Sequence, residues 1–470
     1  MKINFNNKII DGIANEIRGS IYEGKVYVVG GFVRDFLMNI PSNDIDLLID
    51  GDINAGIEFA EWFCKKINAY KKDSNPLVYG LYGTAMFHYM GEKIESVAPR
   101  SEKYKSDSRN PIVSSCTLKD DCFRRDFTIN SLFVNISTNE LIDYSGNGVN
   151  DIKNRIIRST GIPDIIFNDD SLRILRAIRF AVKYNFDIDD KTMDSMYANA
   201  DRLSIITQER ITDEFNKMLM SKDPARAIFL IGFVGAMKYV LPELKETYDM
   251  GQNAYHFGTV WQHTVAVIEQ SGKKEAYLPV RIACVLHDIG KIRTRSVGED
   301  GRVHFYDHEN IGADMTREIM HRMRYPNDII EEVAFYVKNH MLTKSWGDDL
   351  GHMKMKTLRK LMFKCKTAER FNHLMDVIDA DNKSHKAEHC LNNQVTRIHE
   401  VVAKELAEHT SMFGYKLPIN GEDVMAVMNI EAGPAVKKYL EHCQKLAFNN
   451  PEITKEECLR QIKNYKIPVK

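Results

Sequence analysis

No two cysteines in this chain have the CxxC spacing. The eight that occur (Cys64, Cys116, Cys122, Cys284, Cys365, Cys390, Cys443 and Cys458) are scattered. That excludes a zinc ribbon and favours free thiols in a reducing compartment over a disulfide frame. No apolar run approaches the roughly 18 residues of a membrane span. Met1 to Ser20 has no basic-then-apolar signal pattern, so the expected location is the cytoplasm. Positive charge is not in surplus either, since 64 Lys+Arg face 65 Asp+Glu, and any polyanion site must be a local patch. No internal repeat or low-complexity linker is evident. What is present is an ordinary globular composition, 44% hydrophobic and 27% charged, over 470 residues. That length exceeds one core and predicts about two to four domains.

The richest stretch is Tyr27 to Asp50, YVVGGFVRDFLMNIPSNDIDLLID. The apolar run Val26 to Val29 is stopped by Gly30-Gly31, and an amphipathic segment follows from Phe32: strand, tight turn, helix start. A second strand, Ile45 to Ile49, carries Asp44 and Asp46. Side chains alternate along a strand, so both carboxylates share a face, a divalent-metal clamp, while Ile45 points into the core. Glycine lets backbone N–H groups approach phosphates, and a helix N-terminus favours negative charge. Either half alone is an ordinary turn or a solvated loop; together they predict triphosphate chemistry.

GGFVRD followed by DID resembles the signature of the nucleotidyltransferase superfamily related to DNA polymerase β, in the bacterial branch of CCA-adding enzymes and poly(A) polymerases. The resemblance implies that Asp44 and Asp46 are catalytic and bind Mg²⁺, and that Gly30, Gly31 and Arg34 position the triphosphate. Such sites often use a third carboxylate, for which Glu95 in the strand Lys93 to Val97 is a candidate and a surface role the alternative. Pro99 to Asp121 is polar and unperiodic and reads as a mobile loop. RRDFTINSLFVN, from Arg124 to Asn135, is similar to the family's second motif. Guanidinium forks suit phosphate oxygens and Asp or Asn suits ribose hydroxyls, so Arg125, Asp126 and Asn130 are expected to orient the nucleotide sugar and phosphates.

Beyond Asp143-Tyr144-Ser145-Gly146, a turn, the chain reads as mainly helical. A helix opening at Asp169-Asp170 has Leu172, Leu175, Ile178 and Ala181 on one stripe and Arg173, Arg176 and Arg179 on a neighbouring one. Asp170 and Arg173 sit where the family's DxxR motif reads the nucleobase edge in place of a template. Arg176 and Arg179 join the nucleotide-binding set, although a solvated face would also explain them. Asp169 and Ser171 depart from the residues usual there. Leu203 to Leu219 resembles a fifth family motif, with Glu209 and Arg210 expected to be structural.

Between Trp261 and His340 histidines become dense: WQHTVAV, VLHDIGK, HFYDHENIGA and YVKNHML, with VIDADNK following. Imidazoles mixed with carboxylates suit Mn²⁺, Fe²⁺, Ni²⁺ or Zn²⁺ better than Mg²⁺. The set resembles the HD phosphohydrolase superfamily, which implies His263, His287, Asp288 and Asp381 as metal ligands and His308 and His340 as the further ligands of two-metal members. Asp376 and Asp379 compete with Asp381 for the distal position. Lys354 to Arg370 gathers Lys354, Lys356, Arg359, Lys360, Lys364, Lys366 and Arg370 against Glu369, either a phosphate-tracking face or a solvated helix.

The resemblance is collinear over nearly the whole chain. It implies an α+β protein: a polymerase β-like head with a small mixed sheet (1–145), then an all-α neck that reads the base (146–225), an HD metal-dependent hydrolase body (226–390) and a tRNA-contacting tail (391–470). The implied activity is template-independent CCA addition to tRNA from CTP and ATP, as in the bacterial-type (class II) CCA-adding tRNA nucleotidyltransferases. A second, Mn²⁺- or Ni²⁺-dependent HD phosphohydrolase activity would serve RNA repair. Poly(A) polymerase and partial A- or CC-addition are the rivals.

Overall fold

The computed structural model describes residues 1–68, 75–80, 83–103, 112–252, 258–274, 277–299 and 301–467. They form two compact units, Met1–Val240 and Leu241–Lys470.

The first unit is built on strands β1 (Val26–Val29), β2 (Ile45–Ile49), β3 (Leu77–Tyr79), β4 (Thr84–Tyr89), β5 (Glu92–Val97), β6 (Arg100–Lys103), β7 (Ile112–Ser115), β8 (Phe133–Asn135) and β9 (Leu141–Ile142). Seven of them make one mixed sheet in the order β3-β4-β5-β2-β1-β8-β9. Its interior strands explain the unbroken apolar runs: all four residues of β1 are buried, and in β2 only Asp46 is not. Such a strand has little use for a carboxylate in its middle unless the carboxylate has a task. The Ala55–Asn68 helix packs on the sheet, with Phe59 and Phe63 meeting Phe87 at ring distances of 6.2 and 5.3 Å. Truncating one of these rings to alanine should cost about 3–5 kcal/mol.

The Pro99 to Asp121 segment is not a loop in its described parts. β6 and β7 pair as an antiparallel hairpin, and a helix begins at Leu118. Residues 104–111 lie outside the described residues. Thr117 and Asp120 bond each other's backbone as a capping box, so the polar composition that suggested a loop is in part a helix start.

Helices then dominate. The helix expected from Asp169 starts at Leu172, because the Pro163–Asp169 helix runs up to it and Asp170 is extended between the two. In the second unit, helices Val260–Gly272, Leu278–Leu286, Asn327–Asn339 and Ala368–Asn382 pack on one another, with His308–Arg322 against Asn327–Asn339. Three C-terminal helices enclose their own core around Val424, Cys443, Cys458 and Ile462. On the Met355–Cys365 helix the basic face is smaller than expected. Lys356, Lys360 and Lys364 are exposed, whereas Arg359 is buried in a two-pronged ion pair with Glu405 at 2.6 and 3.1 Å. Among the described residues no helix is long and apolar enough to cross a membrane.

Candidate functional site

In the first unit the sheet register assembles the site. Asp46 pairs with Val29, the last residue of β1, on one side and with Glu95 of β5 on the other. Motifs distant in sequence thereby become neighbours: Gly30-Gly31 leaves β1 beside the carboxylates, and Asp44 immediately precedes β2. Gly30 has φ +69° and ψ −128°, a conformation that strains any residue with a Cβ. Asp44 and Glu95 are exposed, and Asp46 is half-buried. Burial first, then the negative charges of Asp44 and Glu95, push the Asp46 carboxyl up to about 7, against the opposing pull of Arg125 and Lys93. Three clustered carboxylates without an imidazole fit a hard, oxygen-seeking cation such as Mg²⁺, whose charge would relieve their repulsion.

Gly30, Gly31, Asp44 and Asp46 open into a cleft of about 750 Å³, walled by Arg34, Arg124, Arg125, Arg173, Arg176, Arg179, Lys183 and Arg210 against Asp35, Asp44, Asp46, Asp126 and Asp170. Eight cationic groups facing five carboxylates make this the local basic patch that a chain of net charge −1 requires. Arg34 is buried; it donates to Asn130 Oδ1 at 2.5 Å and to Asp35 Oδ1 at 2.8 Å. Arg125 is held by Asp121 at 2.9 Å.

Several predicted residues are committed to protein partners. Asp126 accepts from Arg176 at 2.9 and 2.6 Å, from Asn130 at 3.0 Å and from the Phe127 N–H at 2.8 Å. Burial alone would raise its pKa, but Arg176 and Asn130 hold it down at about 2. In this arrangement Asp126 fixes Arg176 and Asn130 at the cleft wall and has no oxygen without a partner for a ribose. Arg179 reaches Glu214 at 2.6 Å. Asp170 and Arg173 both line the cleft, and the Arg173 N–H donates to the Asp170 carbonyl at 3.1 Å, but their side chains part: Arg173 Nη1 donates to the Ile166 carbonyl at 3.2 Å, and Asp170 Oδ2 accepts from Arg210 at 2.7 Å. Arg210, read from sequence as structural, is a cleft residue. Its separation of forty positions from Asp170 hid the pairing.

The second cluster lies within the other unit. His263, His287, Asp288, His308, His340 and Asp381 are all buried. His263 meets Asp381 at 3.1 Å and His287 at 3.3 Å, and Asp288 Oδ2 faces His287 at 3.2 Å. Two possible metal-holding triads share Asp288: His263–His287–Asp288 and Asp288–His308–His340. The Nδ1 atoms of His287, His308 and His340 point to the carbonyls of Cys284, Phe305 and Val337, three residues back in each case, at 2.9, 2.9 and 2.7 Å. Those bonds select the tautomer that leaves Nε2 as a bare donor atom. The Nε2 atoms of His308 and His340 are buried without a hydrogen-bond partner, near Asp288 Oδ1 at 3.4 and 3.9 Å. Burial, reinforced by His287, lowers His340 to about 3 and keeps it neutral, as a ligand must be. Imidazoles and carboxylates with orphaned nitrogens fit a borderline divalent metal. Of the three aspartates on the Ala368–Asn382 helix, Asp381 enters the cluster, while Asp376 and Asp379 pair with Lys274, each at 2.9 Å. Sequence reading missed Lys291, which pairs with Asp288 at 2.6 Å, Lys344, which pairs with Asp381 at 2.9 Å, and His385, whose ring meets that of His263. The motif HDIGK contained the first, one helical turn beyond its aspartate; His385 likewise lies one turn beyond Asp381.

Three family models match in chain order: the poly A polymerase head domain over residues 26–158, the probable RNA and SrmB-binding site of polymerase A over 185–247, and the HD domain over 260–410. A tRNA nucleotidyltransferase of Schizosaccharomyces pombe is 29% identical over 93% of this chain and 90% of its own. An A-adding tRNA nucleotidyltransferase of Deinococcus radiodurans is 29% identical over 69% and 74%. The fold is similar to that of the Bacillus stearothermophilus CCA-adding enzyme in complex with CTP, with a TM-score of 0.63 at 21% identity, covering 97% of this chain and 96% of the other. With its head, RNA-binding and HD segments in that order, the chain belongs to the tRNA nucleotidyltransferase and poly(A) polymerase family.

Proposed function

We propose that the first unit adds CCA to the 3′ end of tRNA from CTP and ATP. The observation that carries this reading is the juxtaposition, in one cleft, of the Asp44 and Asp46 carboxylates with an arginine-rich wall, Glu95 standing beside Asp46 in the sheet. The carboxylates would hold about two Mg²⁺ ions, which when bound supply charge neutralisation on the triphosphate and a lowered pKa at the tRNA 3′-hydroxyl. Arg34 and Arg125 orient the triphosphate, with Gly30 and Gly31 leaving room for it. Asn130, held by Asp126, faces the sugar. The 3′-oxygen bonds to the α-phosphorus, the bond to the β-phosphate bridge breaks, and pyrophosphate leaves. Asp170 and Arg173 choose the base, since a polar site rejects a base that leaves its groups unpaired. We assign transfer to residues 1–145, base selection to 146–225, hydrolysis to 226–390 and tRNA contact to 391–470, and we place the protein in the cytoplasm with its tRNA substrate.

The test is to incubate the protein with tRNA lacking CCA and each nucleotide set, then sequence the 3′ ends. CCA built from CTP and ATP is the expected product. Addition of a single A only to tRNA ending in CC would make it a partial enzyme, long A tracts would make it a poly(A) polymerase, and no incorporation would overturn the reading.

The imidazole cluster favours a second activity in the other unit, a metal-dependent phosphohydrolase of RNA ends such as 2′,3′-cyclic phosphates, which block CCA addition. Its four histidines and two aspartates would hold Mn²⁺, Ni²⁺ or a similar ion, supplying a water of lowered pKa. Hydrolysis of 2′,3′-cyclic AMP with these metals tests it, and absence of any turnover would leave the cluster a structural remnant.

A further inference from the structure

We infer that the hydrolytic site takes a phosphoester that still carries its nucleobase, and that Tyr306 is the surface on which the base stacks. The inference rests on the phosphohydrolase reading above and adds to it the group that holds the base of the nucleotide or RNA 3′ end. A cavity of about 210 Å³ leads to the imidazole cluster, lined by Asp288, His308, Lys291, Lys344, His304 and Tyr306 among others. It is smaller than the roughly 300–1,000 Å³ of pockets that engulf whole small ligands. There is space for a phosphoester and part of a ribose, so the base of a nucleotide must remain at the mouth. That is where the Val303–Phe305 strand ends. Along it side chains alternate: Phe305 is buried, with Lys291 Nζ 5.3 Å from its ring centre, while His304 and Tyr306 share the other side. Their rings stack at 5.1 Å with planes 9° apart, and Tyr306 is 72% exposed. A large aromatic held flat by its neighbour at the rim of a phosphoester site is a preorganised platform with one face open. Stacking uses the π-face that every base has, so the site would be tolerant of base identity.

The chemistry is that of the proposed hydrolysis. A water oxygen bonds to phosphorus, the bond from phosphorus to one ribose oxygen breaks, that oxygen takes up a proton, and a monoester remains. The experiment uses the full chain loaded with Mn²⁺ and compares kcat/KM for 2′,3′-cyclic AMP with that for the cyclic phosphate of an abasic ribose. Wild type should prefer the nucleotide about tenfold or more. Tyr306→Ala should abolish that preference and Tyr306→Phe should keep it. A role for Tyr306 only in holding the turn after the Val303–Phe305 strand would lower both substrates together and leave the ratio alone, and that result overturns the inference while the hydrolase stands. If wild type hydrolyses neither substrate, the hydrolase reading and this inference both fall.

Discussion

The two clusters proposed to hold metal ions solve opposite problems. The first is made of carboxylates alone, carried within or just before neighbouring strands, with two of its three members exposed and the third, Asp46, half-buried in a cleft of about 750 Å³. The second is buried throughout, borne mainly by helices, rich in imidazole, and reached through a cavity of about 210 Å³. Carboxylates that repel one another in an open cleft suit a cation shared with a large polyanionic substrate. Imidazoles tied to backbone carbonyls suit a metal that stays bound without needing the substrate to complete the site. The difference teaches that ligand type alone can set two clusters in one chain toward different classes of divalent cation.

The separation breaks most sharply at the ligands. Asp46→Ala should lower nucleotide incorporation by about a thousandfold or more, the loss expected when a metal ligand is removed, and leave cyclic-phosphate hydrolysis within about twofold. Asp288→Ala should do the reverse. Loss of both activities in either folded variant would show the sites to be coupled.

A smaller effect sharpens the first site. Arg173→Ala should reduce discrimination of CTP and ATP against UTP and GTP by about a hundredfold while changing triphosphate affinity little. Arg210→Ala, which frees Asp170, should change selectivity in the same assay. Unaltered choice among the four nucleotides in both variants would leave these groups only structural.

The pH response should separate the clusters further. Because the folded Asp46 carboxyl is raised to about 7, folding favours its neutral form. That contribution is complete below the ordinary carboxylate pKa and is lost as pH rises through about 7. Mg²⁺ competes with the proton, so its stabilisation should be larger at pH 8 than at pH 6, read as a shift in Tm. Asp46→Asn should flatten that difference, and a Mg²⁺ effect of equal size at both pH values would contradict it.

The smallest change is expected on the Met355–Cys365 helix. Lys356→Ala with Lys360→Ala should weaken tRNA binding about twofold to fivefold at low salt and reduce its salt slope by about one per lysine. Identical slopes in variant and wild type would make this a solvated face. Arg359 is excluded from that face by its buried pair with Glu405, and its removal should act on stability instead.

Local chemistry was legible in the sequence wherever ligand and motif travel together. GGFVRD, DID and HDIGK are contiguous, and strands β1, β2 and β5 follow from their short apolar segments. The α+β head and helical remainder were legible for the same reason, since periodicity is a short-range property. What sequence could not rank was decided by register and packing. Glu95 came to lie beside Asp46 only because β5 pairs with β2 in parallel. Asp381 was separated from Asp376 and Asp379 by which side of one helix faces His263. Arg210 acquired its place through a partner forty positions away, in the link between two helices, and the Pro99 to Asp121 segment acquired strands because pairing supplies what its composition does not. Sequence alone thus determined which functional groups the chain carries and on which local elements they ride. Tertiary structure decided which of them meet, because hydrogen-bond register and burial act between residues whose separation along the chain leaves no local trace.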